Sequence, residues 1–109
     1  MCGIAGIIGK STQEALPEVE KMIGCMPYRC PDDRGTWGEG PVTLGHLRLS
    51  IIDTTDAGHQ PMFSHDQRYV IVFNGEIFNY IELRDELKLL GSTFNTTGDT
   101  EVIIEAYRQ

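Results

Sequence analysis

The segment Met1-Cys2-Gly3-Ile4-Ala5-Gly6-Ile7-Ile8-Gly9 decides how this chain begins to fold and carries its most reactive side chain. Its richness in isoleucine and glycine predicts a buried strand over residues 3–9, with glycines that permit close backbone approach. If Met1 is removed, Cys2 carries a thiol and a free α-amine, whose pKa of about 7.7–8.0 lets it act as general base for that thiol. The alternative is a small apolar residue that starts a strand, because free cysteine is often buried.

The next part of the chain predicts one helix and two strands. The helix begins at Ser11 or Thr12, because apolar residues then recur at helical spacing. Its inward residues are Leu16, Val19, Met22 or Ile23, and Met26. The patterns that follow are a loop over residues 27–40, a strand over 42–53, a loop over 54–61 and a short strand over 69–74.

The last third of the chain predicts two helices. Asn79 and Glu82 have the spacing of a capping box that starts the first helix, and Gly91 stands where that helix ends. The predicted inward residues of this helix are Leu83, Leu87 and Leu90. Residues 94–96 predict a short strand, and a final helix that begins at Asp99 or Thr100 directs Val102, Ile103, Ala106 and Tyr107 inward. This order of elements predicts an α+β fold with helices layered on sheet.

The composition excludes several function classes. The net charge of −7, with no basic stripe, argues against nucleic acid as the main partner. No apolar run is long enough to span a membrane, and the N-terminus lacks a secretory signal pattern. Three cysteines do not form an even disulfide framework, so we expect the reducing cytoplasm. We expect no metal site, because Cys25 and Cys30 lack the spacing of zinc ligand pairs.

The pair Asn74-Gly75 separates a predicted strand from a predicted helix. Such a pair usually forms a turn with positive φ. With a cysteine nucleophile in the same protein, a second interpretation opens: the side-chain N–H of Asn74 and the backbone N–H of Gly75 converge on one oxygen. Two neutral donors of this kind are what an oxyanion hole for an acyl intermediate requires.

Charged residues suggest how an amino acid could be bound. Arg48 lies in an otherwise apolar strand, so it needs either a structural salt bridge or a substrate carboxylate held by two parallel hydrogen bonds. Asp99 is most simply a helix cap, and Glu76 directly follows the Asn-Gly pair. Glu76 and Asp99 together could instead hold an ammonium group. An arginine for a carboxylate and acids for an ammonium would define a site for a free amino acid.

Taken together, these motifs resemble a known family. The chain is similar to the N-terminal glutaminase domain of class II glutamine amidotransferases, and most closely to that of the glutamine-hydrolysing asparagine synthetases. The matching segments run through the whole chain in the family order: Met1–Ile4, Tyr28–Asp32, Gly45–Asp53, Gln60–Met62, Asn74–Tyr80 and Gly98–Ile103. The resemblance implies the αββα sandwich of N-terminal-nucleophile hydrolases, with residues 1–109 as the N-terminal portion of that domain.

The resemblance also implies a role for each site residue. Cys2 attacks the side-chain amide of glutamine to form a γ-glutamyl thioester, while Asn74 and Gly75 bind the oxyanion. Arg48 binds the α-carboxylate of the substrate. The other glutamine-binding residues implied by the family are Glu76, Asp99, Ile51 and Ile52. One departure is Cys30, which stands where the family has glycine and is strained if that position requires positive φ.

For the complete protein, the resemblance implies that ammonia passes to a C-terminal synthetase domain. ATP and Mg²⁺ are expected in that domain, where aspartate is converted to asparagine, and no cofactor is expected in residues 1–109. A homodimer is compatible with the family. Two alternatives stay open: an amidotransferase that supplies ammonia to another acceptor in surface-polysaccharide or antibiotic synthesis, and an inactive module for binding or interaction.

Overall fold

The computed structural model contains both helices and strands, and it describes residues 2–26, 33–48 and 58–109. The elements within these ranges are β1 (Gly3–Ile8), α1 (Thr12–Gly24), β2 (Asp33–Glu39), β3 (Val42–Arg48), β4 (Met62–Phe63), β5 (Val70–Ile71), α2 (Tyr80–Leu89) and α3 (Asp99–Arg108). None of these helices has both the length and the apolar character needed to cross a membrane. The mixture of helix and sheet confirms the predicted α+β class.

The main sheet places β3 between β1 and β2, and both neighbours run antiparallel to it. Its register pairs Gly3 with Leu47 and Asp33 with Arg48. Because Cys2 precedes Gly3 and Arg48 follows Leu47, Cys2 and Arg48 lie at the same end of two neighbouring strands. The sheet therefore collects the predicted nucleophile and the predicted carboxylate-binding arginine at one end.

Strand β2 shows that the prediction of a loop over residues 27–40 is wrong for its second half; residues 27–32 lie outside the described ranges. The glycines that indicated a loop allow close packing instead. A Cβ at Gly35 would lie 2.3 Å from the backbone oxygen of Gln60, and a Cβ at Gly38 would lie 2.3 Å from a side chain of α1. Both strand positions therefore require a residue without a side chain.

Helix α1 begins as predicted and packs on β3. Ser11 is its N-cap, and the Ser11 side chain accepts a hydrogen bond from a backbone N–H in the first turn. The residues that α1 buries are Ala15, Val19 and Ile23. Val19 and Ile23 are buried as predicted, whereas Leu16 is only half-buried and Met22, the alternative to Ile23, is exposed. Gly45 of β3 makes room for this helix, since a Cβ there would lie 2.7 Å from Cγ1 of Val19.

A small second sheet consists of β4 and β5, which pair in antiparallel register. The predicted strand over residues 69–74 is shorter in the structure, because only Val70 and Ile71 have a partner strand. That partner, β4, was not predicted. The predicted strand over residues 42–53 is confirmed from Val42 to Arg48, and its remainder lies outside the described ranges.

Helix α2 begins after Asn79 and ends before Gly91, so its N-cap position and its end are as predicted. The Asn79 side chain makes no capping hydrogen bond, so the capping box is wrong. Gly91 has φ of 99°, which is the left-handed conformation expected just beyond a helix. Leu87 is 6% exposed and Leu83 is half-buried, whereas Leu90 is 67% exposed because it lies past the last helical residue.

Helix α3 has Gly98 as its N-cap, so the prediction of Asp99 or Thr100 in that position is wrong. Its buried apolar residues are Val102 and Ile104, with Ile103 half-buried; Ala106 and Tyr107, predicted to face inward, are exposed. No strand forms over residues 94–96 either. The buried Glu101 carboxylate accepts the backbone N–H groups of residues 95 and 96, and these bonds replace those of a strand partner.

Candidate functional site

The start of β1 meets the predicted turn at Asn74. The backbone nitrogen of Cys2 donates to Oδ1 of Asn74 at 3.2 Å, although the two residues are 72 positions apart. Oδ1 of Asn74 accepts this bond, and Nδ2 is the donor atom of the same side-chain amide. The structure thus brings together the predicted nucleophile and a predicted oxyanion donor, with the next residue, Gly75, on the same exposed stretch of backbone.

The backbone of Phe73, the residue before Asn74, is held by two buried side chains. The backbone N–H of Phe73 donates to Oε1 of Gln60 at 2.7 Å, and the backbone oxygen of Phe73 lies 3.0 Å from Nε2 of His46. A carbonyl oxygen only accepts, so His46 carries its proton on Nε2. Burial lowers the pKa of His46 below its ordinary value of 6.5, and nearby Arg48 acts in the same direction. A neutral imidazole therefore holds the Phe73 carbonyl.

Arg48 is buried at the end of β3, next to the backbone of Gly58. A Cβ built on Gly58 would lie 2.2 Å from Nη2 of Arg48, so any larger residue would displace the guanidinium. Arg48 also has an interaction partner within the protein. It lies at the same end of the main sheet as Cys2, and its binding of a substrate carboxylate stays a prediction.

Asp99 contacts the loop that contains Asn74 and Gly75. Its Oδ2 accepts the backbone N–H of Ile77 at 2.9 Å, and the side chain is buried. Glu76 directly precedes Ile77 and is exposed. The two acids predicted to hold an ammonium group therefore come from α3 and from the loop that α3 fixes.

Sequence reasoning missed the importance of residues 58–60, which we call the tie segment. Gly58 contacts Arg48, and Nδ1 of His59 forms a hydrogen-bonded pair with the carboxylate of Asp33. Gln60 reaches Phe73, as described above, and also Thr100. The available signal was the Gln60–Met62 segment among the matching motifs, to which no role was assigned.

Three residues named in the sequence analysis fall outside the described ranges: Ile51, Ile52 and Cys30.

The three histidines of the chain have separate partners: His46 contacts Phe73, His59 contacts Asp33, and His65 contacts Thr93. Within residues 2–26, 33–48 and 58–109, no cluster of three or more His, Cys, Asp or Glu side chains could hold a metal ion.

Known proteins resemble this chain over nearly its whole length. Over residues 1–109, the sequence matches the family described as the glutamine amidotransferase domain. The chain belongs to this family. It is 45% identical to glutamine-hydrolyzing asparagine synthetase 1 of Bacillus subtilis over 112 residues, which are 99% of this chain and 18% of that protein.

Other relatives of this glutamine amidotransferase domain come from distant organisms. A putative glutamine-hydrolyzing asparagine synthetase of Mycobacterium tuberculosis is 41% identical, with 98% of this chain and 19% of that protein covered. Glutamine-hydrolyzing asparagine synthetase 1 of Arabidopsis thaliana is 38% identical, with 100% and 18% covered. The chain thus spans about a fifth of the length of these relatives, and the matched part corresponds to their glutaminase domain.

Proposed function

We propose that this glutamine amidotransferase domain hydrolyses the side-chain amide of glutamine with Cys2 as the nucleophile. The observation that carries the proposal is the hydrogen bond from the Cys2 nitrogen to Oδ1 of Asn74, which joins the proposed nucleophile to the proposed oxyanion donor. Removal of Met1 turns that nitrogen into an α-amine. With a pKa of about 7.7–8.0, the amine accepts the thiol proton as the sulfur attacks the amide carbon.

The reaction then proceeds through a tetrahedral oxyanion. Nδ2 of Asn74 and the backbone N–H of Gly75 donate to this oxygen, and the loss of one such donor costs about 2.7–4 kcal/mol of barrier. The protonated amine of Cys2 returns its proton to the leaving nitrogen, the carbon–nitrogen bond breaks, and ammonia departs. Water then attacks the γ-glutamyl thioester, which releases glutamate and restores the thiol.

The two charged ends of glutamine are assigned to the two sides of the site. Arg48, buried beside Cys2, binds the α-carboxylate, because a guanidinium holds a carboxylate through two parallel hydrogen bonds. Glu76 and Asp99 receive the α-ammonium. Ile51 and Ile52 complete the binding site in this proposal.

The whole protein is proposed to be an asparagine synthetase that uses glutamine as its nitrogen donor. The support is that the relatives matched across nearly all of this chain carry that name and are about five times longer. In this proposal the domain has the αββα sandwich of N-terminal-nucleophile hydrolases and passes ammonia to a synthetase domain. ATP and Mg²⁺ would serve that second domain. We place the enzyme in the reducing cytoplasm, because the proposed reaction requires the Cys2 thiol in its reduced form.

Covalent labelling of the complete protein tests the nucleophile. Treatment with 6-diazo-5-oxo-norleucine, followed by intact-mass measurement and peptide mapping, is expected to show a chain without Met1 and one adduct on Cys2. Cys2→Ala is expected to abolish glutamine-dependent ammonia release. Cys25→Ala, which removes an exposed thiol at the end of α1, is the matched control and should retain it. Glutaminase activity in Cys2→Ala, or equal labelling of Cys25, would contradict the proposal.

A further inference from the structure

Gln60 connects the two halves of the candidate site through one side chain. It is 5% exposed, and both ends of its amide are used. Oε1 accepts the backbone N–H of Phe73 at 2.7 Å, and Nε2 donates to Oγ1 of Thr100 at 3.3 Å. The orientation of the amide follows from chemistry, because the reverse orientation would place an NH₂ group against the Phe73 N–H.

Each partner of Gln60 directly precedes or follows a residue of the site. Phe73 precedes Asn74, the proposed oxyanion donor, and Thr100 follows Asp99, a proposed acceptor for the substrate ammonium. Asp99 in turn accepts the N–H of Ile77 at 2.9 Å. The loop from residue 73 to residue 77 is therefore held at its beginning by Gln60 and near its end by Asp99, and Gln60 itself is bonded to the residue beside Asp99.

The carbonyl of Phe73 is held as firmly as its N–H. The fully buried His46 donates from Nε2 to the Phe73 oxygen at 3.0 Å. Both backbone polar groups of Phe73 are thus bound by buried side chains, one from the main sheet and one from the tie segment. Because these groups belong to the two peptide planes that flank Phe73, both planes are restrained, and the direction of the following residue, Asn74, is set before substrate arrives.

We propose that Gln60 is a positioning residue for glutamine hydrolysis: it aims Asn74 through Phe73 and fixes the spacing between Asn74 and Asp99 through Thr100. This inference rests on the proposed function. Gln60 touches no reacting atom. Its two hydrogen bonds affect different steps, because the Phe73 bond serves the oxyanion donor and the Thr100 bond serves the ammonium acceptor.

Two variants separate these bonds. Gln60→Met removes both at similar volume and is expected to lower kcat by about 10- to 100-fold, the loss that follows a misplacement of about 1 Å at a reacting centre. Thr100→Val removes only the bond beside Asp99 and is expected to raise KM for glutamine about threefold to tenfold at nearly unchanged kcat, since ground-state binding alone is weakened. Gln13→Met, an exposed glutamine of α1, is the matched control with unchanged kcat and KM.

The decisive experiment measures glutamine-dependent ammonia release for the complete protein and for each variant that retains its thermal unfolding transition. A loss of kcat in Gln60→Met together with a rise of KM in Thr100→Val supports the proposal. Equal kinetics of Gln60→Met and Gln13→Met would overturn it. If Gln60→Met does not fold, Thr100→Val decides, and an unchanged KM counts against the role of Gln60.

A second readout separates this inference from the proposed function. Hydrogen exchange at residues 73–77 is measured in the Cys2→Ala background, where no turnover takes place. Faster exchange in Cys2→Ala/Gln60→Met than in Cys2→Ala, confined to these residues, supports the positioning role even if the unaltered protein proves to have no glutaminase activity. Unchanged exchange in that loop would refute the positioning role, whatever the activity of Cys2.

Discussion

The three residues of the tie segment contact the end of the main sheet, the residue before Asn74 and the start of α3. Helix α2, by contrast, has ten residues and buries one of them, Leu87. Large apolar residues in and around α2 remain exposed: Phe78, Ile81, Leu89 and Leu90. The tie segment contains no α-helix or strand and yet holds the parts of the site together, whereas α2 is a regular helix that buries little of its own surface. Regularity of backbone and importance for the site are therefore separate properties in this protein.

The largest effect on stability is expected inside α2. Leu87→Ala should lower the free energy of unfolding by about 2–5 kcal/mol, because a buried leucine leaves a cavity when it is truncated. Leu90→Ala, the same change at a 67% exposed position three residues on, should stay within about 0.5 kcal/mol. Urea unfolding measures both. Equal losses would show that α2 packs through a different face from the one described.

A smaller loss is expected in the tie segment, but with a consequence for the site. Gly58→Ala introduces a Cβ 2.2 Å from Nη2 of Arg48 and should destabilise the protein by about 1–3 kcal/mol through overpacking. Because Arg48 must move, KM for glutamine should rise as well. Gly24→Ala, at a helical position with nothing within 4 Å of the new Cβ, should be neutral or stabilising by about 1 kcal/mol. Unfolding and kinetic measurements on both variants decide whether close contact matters at Gly58.

The smallest effect is a change in pH dependence at His46. Burial holds the pKa of His46 below 6.5 in the folded protein, so the unfolded chain binds more protons as the pH falls through that value. This contribution to stability is fully present above pH 6.5 and is lost progressively as the pH falls below it. His46→Gln keeps an N–H donor for Phe73 without a titrating group. Its melting temperature should therefore decrease less than that of the unaltered protein between about pH 7 and pH 5; parallel profiles would contradict the assignment.

Local signals in the sequence predicted much of the fold. The Ser11 cap, the glycine after α2 and the strand β1 all follow from neighbouring residues, and each appears in the structure. The prediction that this first strand is buried is wrong, because Ile4 is 48% and Ile8 is 80% exposed. Other predictions failed where a residue outside the predicted element competes for the same groups. Residues 94–96 bond to the Glu101 carboxylate rather than to a strand, and β2 forms because β3 is beside it, despite a loop-like composition.

The residues of the candidate site show the same distinction between local signals and long-range contacts. Cys2, Arg48, Asn74 and Asp99 were selected from the sequence, because each has a chemistry that stands out against its neighbours. The roles of Gln60 and Gly58 were not, because a buried amide and a glycine in a loop have no distinctive local pattern. Their importance depends on what they touch, and those partners lie ten or more positions away.

The sequence by itself determined the chemistry of this protein: a cysteine that follows the first methionine, an Asn-Gly pair, an arginine in an apolar strand and the family to which they belong. Only the tertiary structure decided how these groups meet. The sheet register places Cys2 beside Arg48, and long-range hydrogen bonds join Cys2 to Asn74 and Gln60 to both Phe73 and Thr100. The physical reason is that the reactivity of a side chain is a local property, whereas its direction and its partners are set by packing between distant segments.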